Sequence, residues 1–205
     1  MLKLIALTTM IIDHIGFFWD IELCRVVGRL SFPIYCFLIA RGIEKSKNLK
    51  QYSIRILVLA IASQCVWNYI GVEILNILFT YFLFIQFMYF IKSKNNIMSA
   101  VIFVLSVVIS PKLDYGLYGF LLLIMFYYIK DIKVQIIVML GLNIYFVYNG
   151  LVAPIQFISM ISLILVRRYD KQKYYKKFKK YNKIFYISYP LHILILFEIY
   201  KLLIN

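Results

Sequence analysis

Nine apolar runs, separated by short polar links, occupy most of the chain and limit the folds open to it. We place them at about residues 2–19, 24–43, 54–71, 77–91, 97–110, 115–129, 132–148, 151–166 and 184–204. About 20 residues of α-helix cross the hydrocarbon core of a bilayer. Of the 205 residues, 63% are hydrophobic, against roughly 45–50% in a soluble domain. The sequence therefore predicts an all-α fold, a polytopic integral membrane bundle of about nine transmembrane helices.

Positive charge alternates between successive links, and this alternation predicts how the helices are oriented. The even-numbered links hold most of it: Lys45, Lys47 and Lys50, then Lys92 and Lys94, then Lys130 and Lys133, then nine basic residues from Arg167 to Lys183. We therefore expect the N-terminus inside and the C-terminus outside. Topology also accounts for the net charge of +14 better than nucleic-acid binding does, because the basic residues do not form one soluble face. We expect one transmembrane domain over residues 1–205, with a basic cytosolic interfacial segment at about 167–183.

An acid and a histidine, Asp13 and His14, lie side by side within the first apolar run. An ionised Asp near the bilayer centre costs about 2.5–3.5 kcal/mol on insertion scales, so it needs a partner or a function. The second run supplies Arg25 and Arg29, four residues apart on one helical face. We predict an Asp13–Arg29 ion pair, with His14 facing a cavity where its imidazole accepts a proton. A purely structural pair is the alternative.

Further polar residues fall at the predicted outer ends of other helices. They are Asn76, Thr80, Asp114, Tyr115 and Gln156. Together with the first two helices they predict one polar site in the outer leaflet. The alternatives are that single polar residues fasten helices to each other, or that Asp114 caps the sixth helix. His192 is the exception, because we place it closer to the cytosolic end of the last helix, where it lines a route from the cytosol.

The cysteines have no spacing typical of a metal or redox site. They are Cys24, Cys36 and Cys65, which we interpret as small packing residues. We expect no metal.

Six segments, taken in order, resemble the TraX family. They are "LKLIALTTMIIDHIG", "RVVGRLSFPIYCFLIARGIEKSKNLKQYSIRIL", "NILFT", "DYGLYG", "YNG" and "FYISYPLHILIL". The resemblance runs from residue 2 to about 199. It implies a multi-pass protein of the bacterial cytoplasmic membrane that transfers an acetyl group from acetyl-CoA to the N-terminus of a pilin. The chain also resembles, more distantly, the transmembrane acyltransferases that act on sugars.

The buried polar residues suit that chemistry, since acyl transfer to an amine needs a base and a group that polarises the carbonyl. We expect His14 to be the base or a transient acyl carrier, with His192 as the rival base. Asp13 and Arg29 would shape the site. The residues expected to bind the acceptor, a peptide or glycan at the outer leaflet, are Arg29, Asn76, Thr80, Asp114, Tyr115 and Gln156.

Acetyl-CoA is cytosolic, so its nucleotide is expected at the basic segment, on Arg167, Arg168 and Lys173. In that segment Tyr174, Phe178, Tyr181 and Phe185 share one helical face. The alternative is an interfacial helix on anionic lipid. Two other functions stay open: a proton-coupled transporter, and a membrane peptidase with Cys24 or Cys36 as its nucleophile.

Overall fold

Helices are the only regular elements in residues 2–170 and 182–204, the residues that the computed structural model describes. The α-helices are α1 (Leu2–Trp19), α2 (Glu22–Gly28), α3 (Ser31–Lys45), α4 (Leu49–Tyr69), α5 (Ile77–Lys92), α6 (Asn96–Val108), α7 (Gly116–Tyr128), α8 (Ile132–Tyr148), α9 (Ser162–Asp170) and α10 (Asn182–Ile204). Short 3₁₀-helices cover Ser110–Lys112 and Pro154–Ile161. The all-α prediction is confirmed.

Each of the nine predicted runs overlaps a helix, but two of the runs are not single α-helices. The second divides into α2 and α3, with a turn at residues 29–30. The eighth is a 3₁₀-helix from Pro154 followed by α9. Two helical segments, Leu2–Trp19 and Glu22–Lys45, are long and apolar enough to cross a membrane. By the same criteria α5, α6, α7 and α8 are apolar but shorter.

Side-chain caps fix where four of the helices begin. Asn48 accepts a hydrogen bond from the backbone N–H of residue 51 at 2.9 Å, which is why α4 begins several residues before the predicted run. Asn76, Asn95 and Asp131 do the same at the starts of α5, α6 and α8. Each cap satisfies a backbone donor that the first helical turn leaves unpaired.

The chain divides into two compact units, the first formed by residues 1–37 and 129–205 and the second by residues 38–128. In the first unit α1 packs against α2, α9 and α10. Successive ring contacts between α1 and α10 involve higher residue numbers in both helices. They are His14–His192, Phe18–Phe197 and Trp19–Tyr200. The two helices therefore run parallel, the direction that the predicted inside N-terminus and outside C-terminus require.

The second unit is built around α5, which packs against α4, α6 and α7. Its core is aromatic, and the Phe84 and Phe120 rings meet edge to face with 5.3 Å between centroids. The segment after α6 is tied to the start of α5, since the backbones of Leu75 and Asp114 share a 2.8 Å hydrogen bond. The single transmembrane domain expected over residues 1–205 stays a prediction.

Candidate functional site

One carboxylate on α1 holds two arginines. Asp13 Oδ2 accepts a 2.7 Å hydrogen bond from Arg25 Nη1, and Asp13 Oδ1 accepts a 2.9 Å hydrogen bond from Arg29 Nη2. The exposed fractions of the side chains are 15% for Asp13, 11% for Arg29 and 32% for Arg25. One negative and two positive charges leave this cluster, the Asp13 triad, with a formal charge of +1. Arg25 is its more accessible cation.

The predicted Asp13–Arg29 ion pair is present, and the break between α2 and α3 explains the second partner. Arg25 lies in the last turn of α2, whereas Arg29 follows the end of that helix. The Arg29 Nε–H donates to the Arg25 carbonyl at 3.3 Å, which holds the second guanidinium beside the first. The spacing of four residues was the sequence signal for both arginines. The sequence predicts the ion pair with Arg29 alone, and the structure adds Arg25.

Two glycines that the sequence analysis did not single out as site residues let α1 and α2 approach closely. A Cβ atom on Gly28 would overlap the Asp13 side chain. A Cβ atom on Gly16 would lie 2.8 Å from Cys24 Cβ. Small residues are typical of close helix crossings in apolar surroundings. Here the missing side chain of Gly28 makes the space that the carboxylate occupies.

The two histidines of the chain form a direct pair. His14 Nδ1 and His192 Nε2 are 2.6 Å apart, and the ring centroids are separated by 4.9 Å. His192 is buried, and its Nδ1 lies 2.6 Å from the Ser188 carbonyl oxygen one turn earlier in α10. The separate position nearer the cytosol that we predicted for His192 is therefore wrong. His14 lies in the second half of α1 and His192 near the middle of the parallel helix α10, which begins two residues before the predicted run.

Asn76 belongs to a hydrogen-bond network in the second unit. Its amide Nδ2 donates to the Ala60 carbonyl and to Gln64 Oε1, both at 2.9 Å, and Gln64 Oε1 also accepts from the Asn76 backbone N–H. Both side-chain donors of Asn76 are thus used within the protein. This is the geometry of a residue that fastens α4 to α5, the alternative given above. Its role in acceptor binding stays a prediction.

Thr80, Asp114 and Tyr115 also lie in the second unit. Buried Thr80 donates to the Asp114 carbonyl at 3.3 Å. Tyr115 has a backbone φ of 56°, in the left-handed region that is uncommon for bulky residues and found mostly in turns or strained functional sites. The nearby Ser110 hydroxyl accepts a 2.6 Å hydrogen bond from the Leu117 backbone N–H. The acceptor contacts expected of these residues stay predictions.

Gln156 is buried in the 3₁₀-helix before α9, in the first unit. Two neighbours, Ser159 and Ser162, are fully buried, and within the described residues neither hydroxyl has a hydrogen-bond partner. This segment therefore brings further polar groups into the interior close to Gln156. The sequence analysis missed the two serines because they are single hydroxyls within an apolar run.

The basic segment falls mostly outside the described residues. Arg167 and Arg168 are exposed in the last turn of α9. Lys173 lies outside the described residues, as do the side chains of Tyr174, Phe178, Tyr181 and Phe185. Their roles in donor or lipid binding stay predictions.

Elsewhere in the described part of the chain, no group of three or more His, Cys, Asp or Glu residues is placed to hold a metal ion. The three cysteines are free thiols. Cys24 is half-buried, Cys36 is buried and Cys65 is exposed.

The fold and this site define an all-helical protein whose apolar helices enclose an ion-paired carboxylate and a histidine pair. The chain belongs to the TraX family. The model of this family, which is described as "TraX protein", matches residues 1–200. The resemblance seen in the sequence is thereby confirmed.

The chain is also similar to a probable fimbrial assembly protein FimC, serogroup H1, of Dichelobacter nodosus. The two are 35% identical over 69 residues, which cover 31% of this chain and 28% of the other protein. The matched part thus spans less than a third of that relative's length. No solved structure matches the chain.

Proposed function

We propose that this protein is a membrane-embedded acyltransferase with a pilin-related role. It transfers an acetyl group from cytosolic acetyl-CoA to the N-terminal amine of a secreted or membrane peptide, or to another envelope acceptor. Membership of the TraX family supports the chemistry. The partial match to a fimbrial assembly protein supports the connection with pili. The observation that supports the proposal most directly is the His14–His192 pair, which joins α1 to α10. His14 follows Asp13, the carboxylate of the triad, in the sequence.

The reaction needs a base and a cation. The amine nitrogen attacks the thioester carbonyl carbon, the new C–N bond forms, and the C–S bond breaks as the thiolate of coenzyme A leaves. His14 takes the proton that the amine loses. The oxyanion of the tetrahedral intermediate is stabilised by the positive charge of the Asp13 triad, in which Arg25 is the more accessible cation.

A membrane location follows from the same proposal. Two helical segments are long and apolar enough to cross a membrane, and α1 and α10 are parallel. We infer a multi-pass protein of the bacterial cytoplasmic membrane with its N-terminus inside and its C-terminus outside. The donor then comes from the cytosol, where Arg167, Arg168 and Lys173 would bind its phosphates, and the acceptor comes from the outer leaflet.

The test is transfer of a radiolabelled acetyl group by the purified protein in nanodiscs. The donor is labelled acetyl-CoA, and the acceptor is a synthetic peptide with the N-terminal sequence of the host's pilin. The control peptide has a blocked N-terminus. We expect label on the free-amine peptide alone, and none with the His14→Ala protein. Intact donor after incubation of the wild-type protein with the free-amine peptide would refute transfer to a pilin N-terminus.

Replacing Cys24, Cys36 and Cys65 together with Ser separates acyl transfer from a cysteine peptidase. We expect the triple variant to keep its transfer activity, because the proposed reaction uses no thiol of the protein. Retained activity would exclude a cysteine nucleophile, whereas loss of activity in a folded triple variant would show that a thiol of the protein takes part. Proton uptake into vesicles without consumption of acetyl-CoA would favour a transporter.

A further inference from the structure

We propose that His192 is a positioning residue that fixes the tautomer of His14 and shares its proton. A chain of hydrogen bonds connects the Ser188 carbonyl, His192 and His14. The catalytic meaning of this chain rests on the proposed function. The hydrogen-bond pattern itself does not, so the two can be tested separately.

The chain of hydrogen bonds begins at the Ser188 carbonyl oxygen. A carbonyl oxygen only accepts hydrogen bonds, so the 2.6 Å contact requires a hydrogen on His192 Nδ1. A neutral imidazole carries one N–H. The Nε2 of neutral His192 therefore has a lone pair and accepts a hydrogen bond.

That lone pair determines which ring nitrogen of His14 carries the hydrogen. The 2.6 Å contact between the two rings requires one donor and one acceptor, and His192 Nε2 is the acceptor. His14 therefore donates through Nδ1–H, and its basic nitrogen is Nε2. The Nδ1–H tautomer is the minor form of a free histidine in water, so its presence would be a distinctive signature of the chain.

Proton transfer follows the same chain. When His14 Nε2 takes the amine proton, its Nδ1 proton can move to His192 Nε2. His192 then has two N–H groups, which point at Ser188 and at His14, and His14 is neutral again. This orienting role is comparable to that of the carboxylate in a hydrolase triad, but the partner here is uncharged. Of the charged side chains on the packed helices, Arg25 and Arg29 of the Asp13 triad act electrostatically on His14. Tyr189 packs edge-on against His192.

Nitrogen NMR of the full-length protein in nanodiscs, labelled with ¹⁵N-histidine, tests the tautomers directly. The chain has only two histidines, so a single variant assigns both sets of signals. At a pH where both rings are neutral we expect both in the Nδ1–H form. His14 in the Nε2–H form would overturn the proposal.

Two substitutions separate positioning from packing. His192→Gln offers a carbonyl oxygen close to the position of Nε2, so it can still accept from His14. His192→Leu cannot. We expect the Leu variant to lose about 10- to 100-fold in kcat with KM little changed, and its His14 signal to leave the Nδ1–H form. The Gln variant should keep the Nδ1–H signal and recover part of the lost kcat. Ile193→Val, at the adjacent buried position, is the control and should change neither readout.

The outcomes are distinguishable. If the wild-type protein transfers no acetyl group but shows both Nδ1–H tautomers, the proposed function is wrong and the hydrogen-bond chain is right. If transfer occurs and His192→Leu leaves both kcat and the His14 tautomer unchanged, the positioning role is wrong and the proposed function stands.

Discussion

Replacing Asp13 with Asn removes the one negative charge that holds two arginines together. Both carboxylate oxygens are engaged, at 2.7 Å by Arg25 and at 2.9 Å by Arg29. An amide has one acceptor oxygen, so its NH₂ group must face one of the guanidinium donors. The variant therefore keeps the shape of the side chain but leaves two partly buried cations close together.

The expected cost follows from the exposure of each arginine. A hydrogen bond to a charged group contributes about 1.5–3 kcal/mol. The Arg29 side chain is 11% exposed, so the contribution of its hydrogen bond should lie near the upper end of this range. The Arg25 side chain is 32% exposed, so its contribution should lie near or below the lower end. We expect Asp13→Asn to lower the free energy of unfolding by about 3–4 kcal/mol, within the range for removing one partner of a buried ion pair. Arg29→Gln should cost about 2–3 kcal/mol and Arg25→Gln about 1 kcal/mol.

The assay is reversible unfolding of the protein in mixed micelles by titration with a denaturing detergent, followed by far-UV circular dichroism. Asp20→Asn is the matched control, because Asp20 is exposed just after α1. Its backbone φ of 53° is one that Asn also tolerates. The free energy of unfolding of the control should stay within about 0.5 kcal/mol of the wild-type value. A cost of less than about 1 kcal/mol for Asp13→Asn, or equal costs for Arg25→Gln and Arg29→Gln, would contradict the stabilising role of the ion pairs.

Three further predictions concern helix approach, helix fastening and donor binding. Gly28→Ala should lower the free energy of unfolding by about 1–3 kcal/mol and acetyl transfer as well, because its methyl group would displace the Asp13 carboxylate. Gly141→Ala in α8, where a Cβ meets nothing within 4 Å, is the matched control and should be neutral or stabilising when both are measured by the same titration. Gln64→Leu should cost about 2–4 kcal/mol, since it leaves two buried N–H donors at the start of α5 without their acceptor, and a cost below about 1 kcal/mol would show that the network does not fasten α5. Replacing Arg167 and Arg168 together with Gln should raise KM for acetyl-CoA and leave kcat unchanged in the transfer assay, and an unchanged KM would assign them to lipid binding or topology.

The helices were predictable because the apolar runs are long and their ends carry local signals. Asn76, Asn95 and Asp131 each mark a helix start with a side chain that caps it. The interruptions were not predictable from hydropathy. Apolar residues predominate on both sides of residues 29–30 and within 154–161, where the α-helix ends or a 3₁₀-helix replaces it.

The site was predictable only where the residues in contact are close in the sequence. Asp13 and Arg29 are close in sequence and separated by one turn between helices, so spacing alone indicated their contact. His14 and His192 are 178 residues apart, and their contact depends on how α10 packs against α1, which no local pattern reports. Gln64 was missed because a single amide within a helix gives no sign of its partner.

The most direct test of the acyltransferase proposal is the intact mass of envelope peptides and glycans from three strains. One strain has the wild-type protein, one lacks it, and one carries His14→Gln expressed at the same level. We expect a species heavier by one acetyl group in the wild-type strain only. An acetylated species of equal abundance in the His14→Gln strain would contradict the role of His14, and identical masses in the wild-type strain and the strain without the protein would contradict acetyl transfer itself.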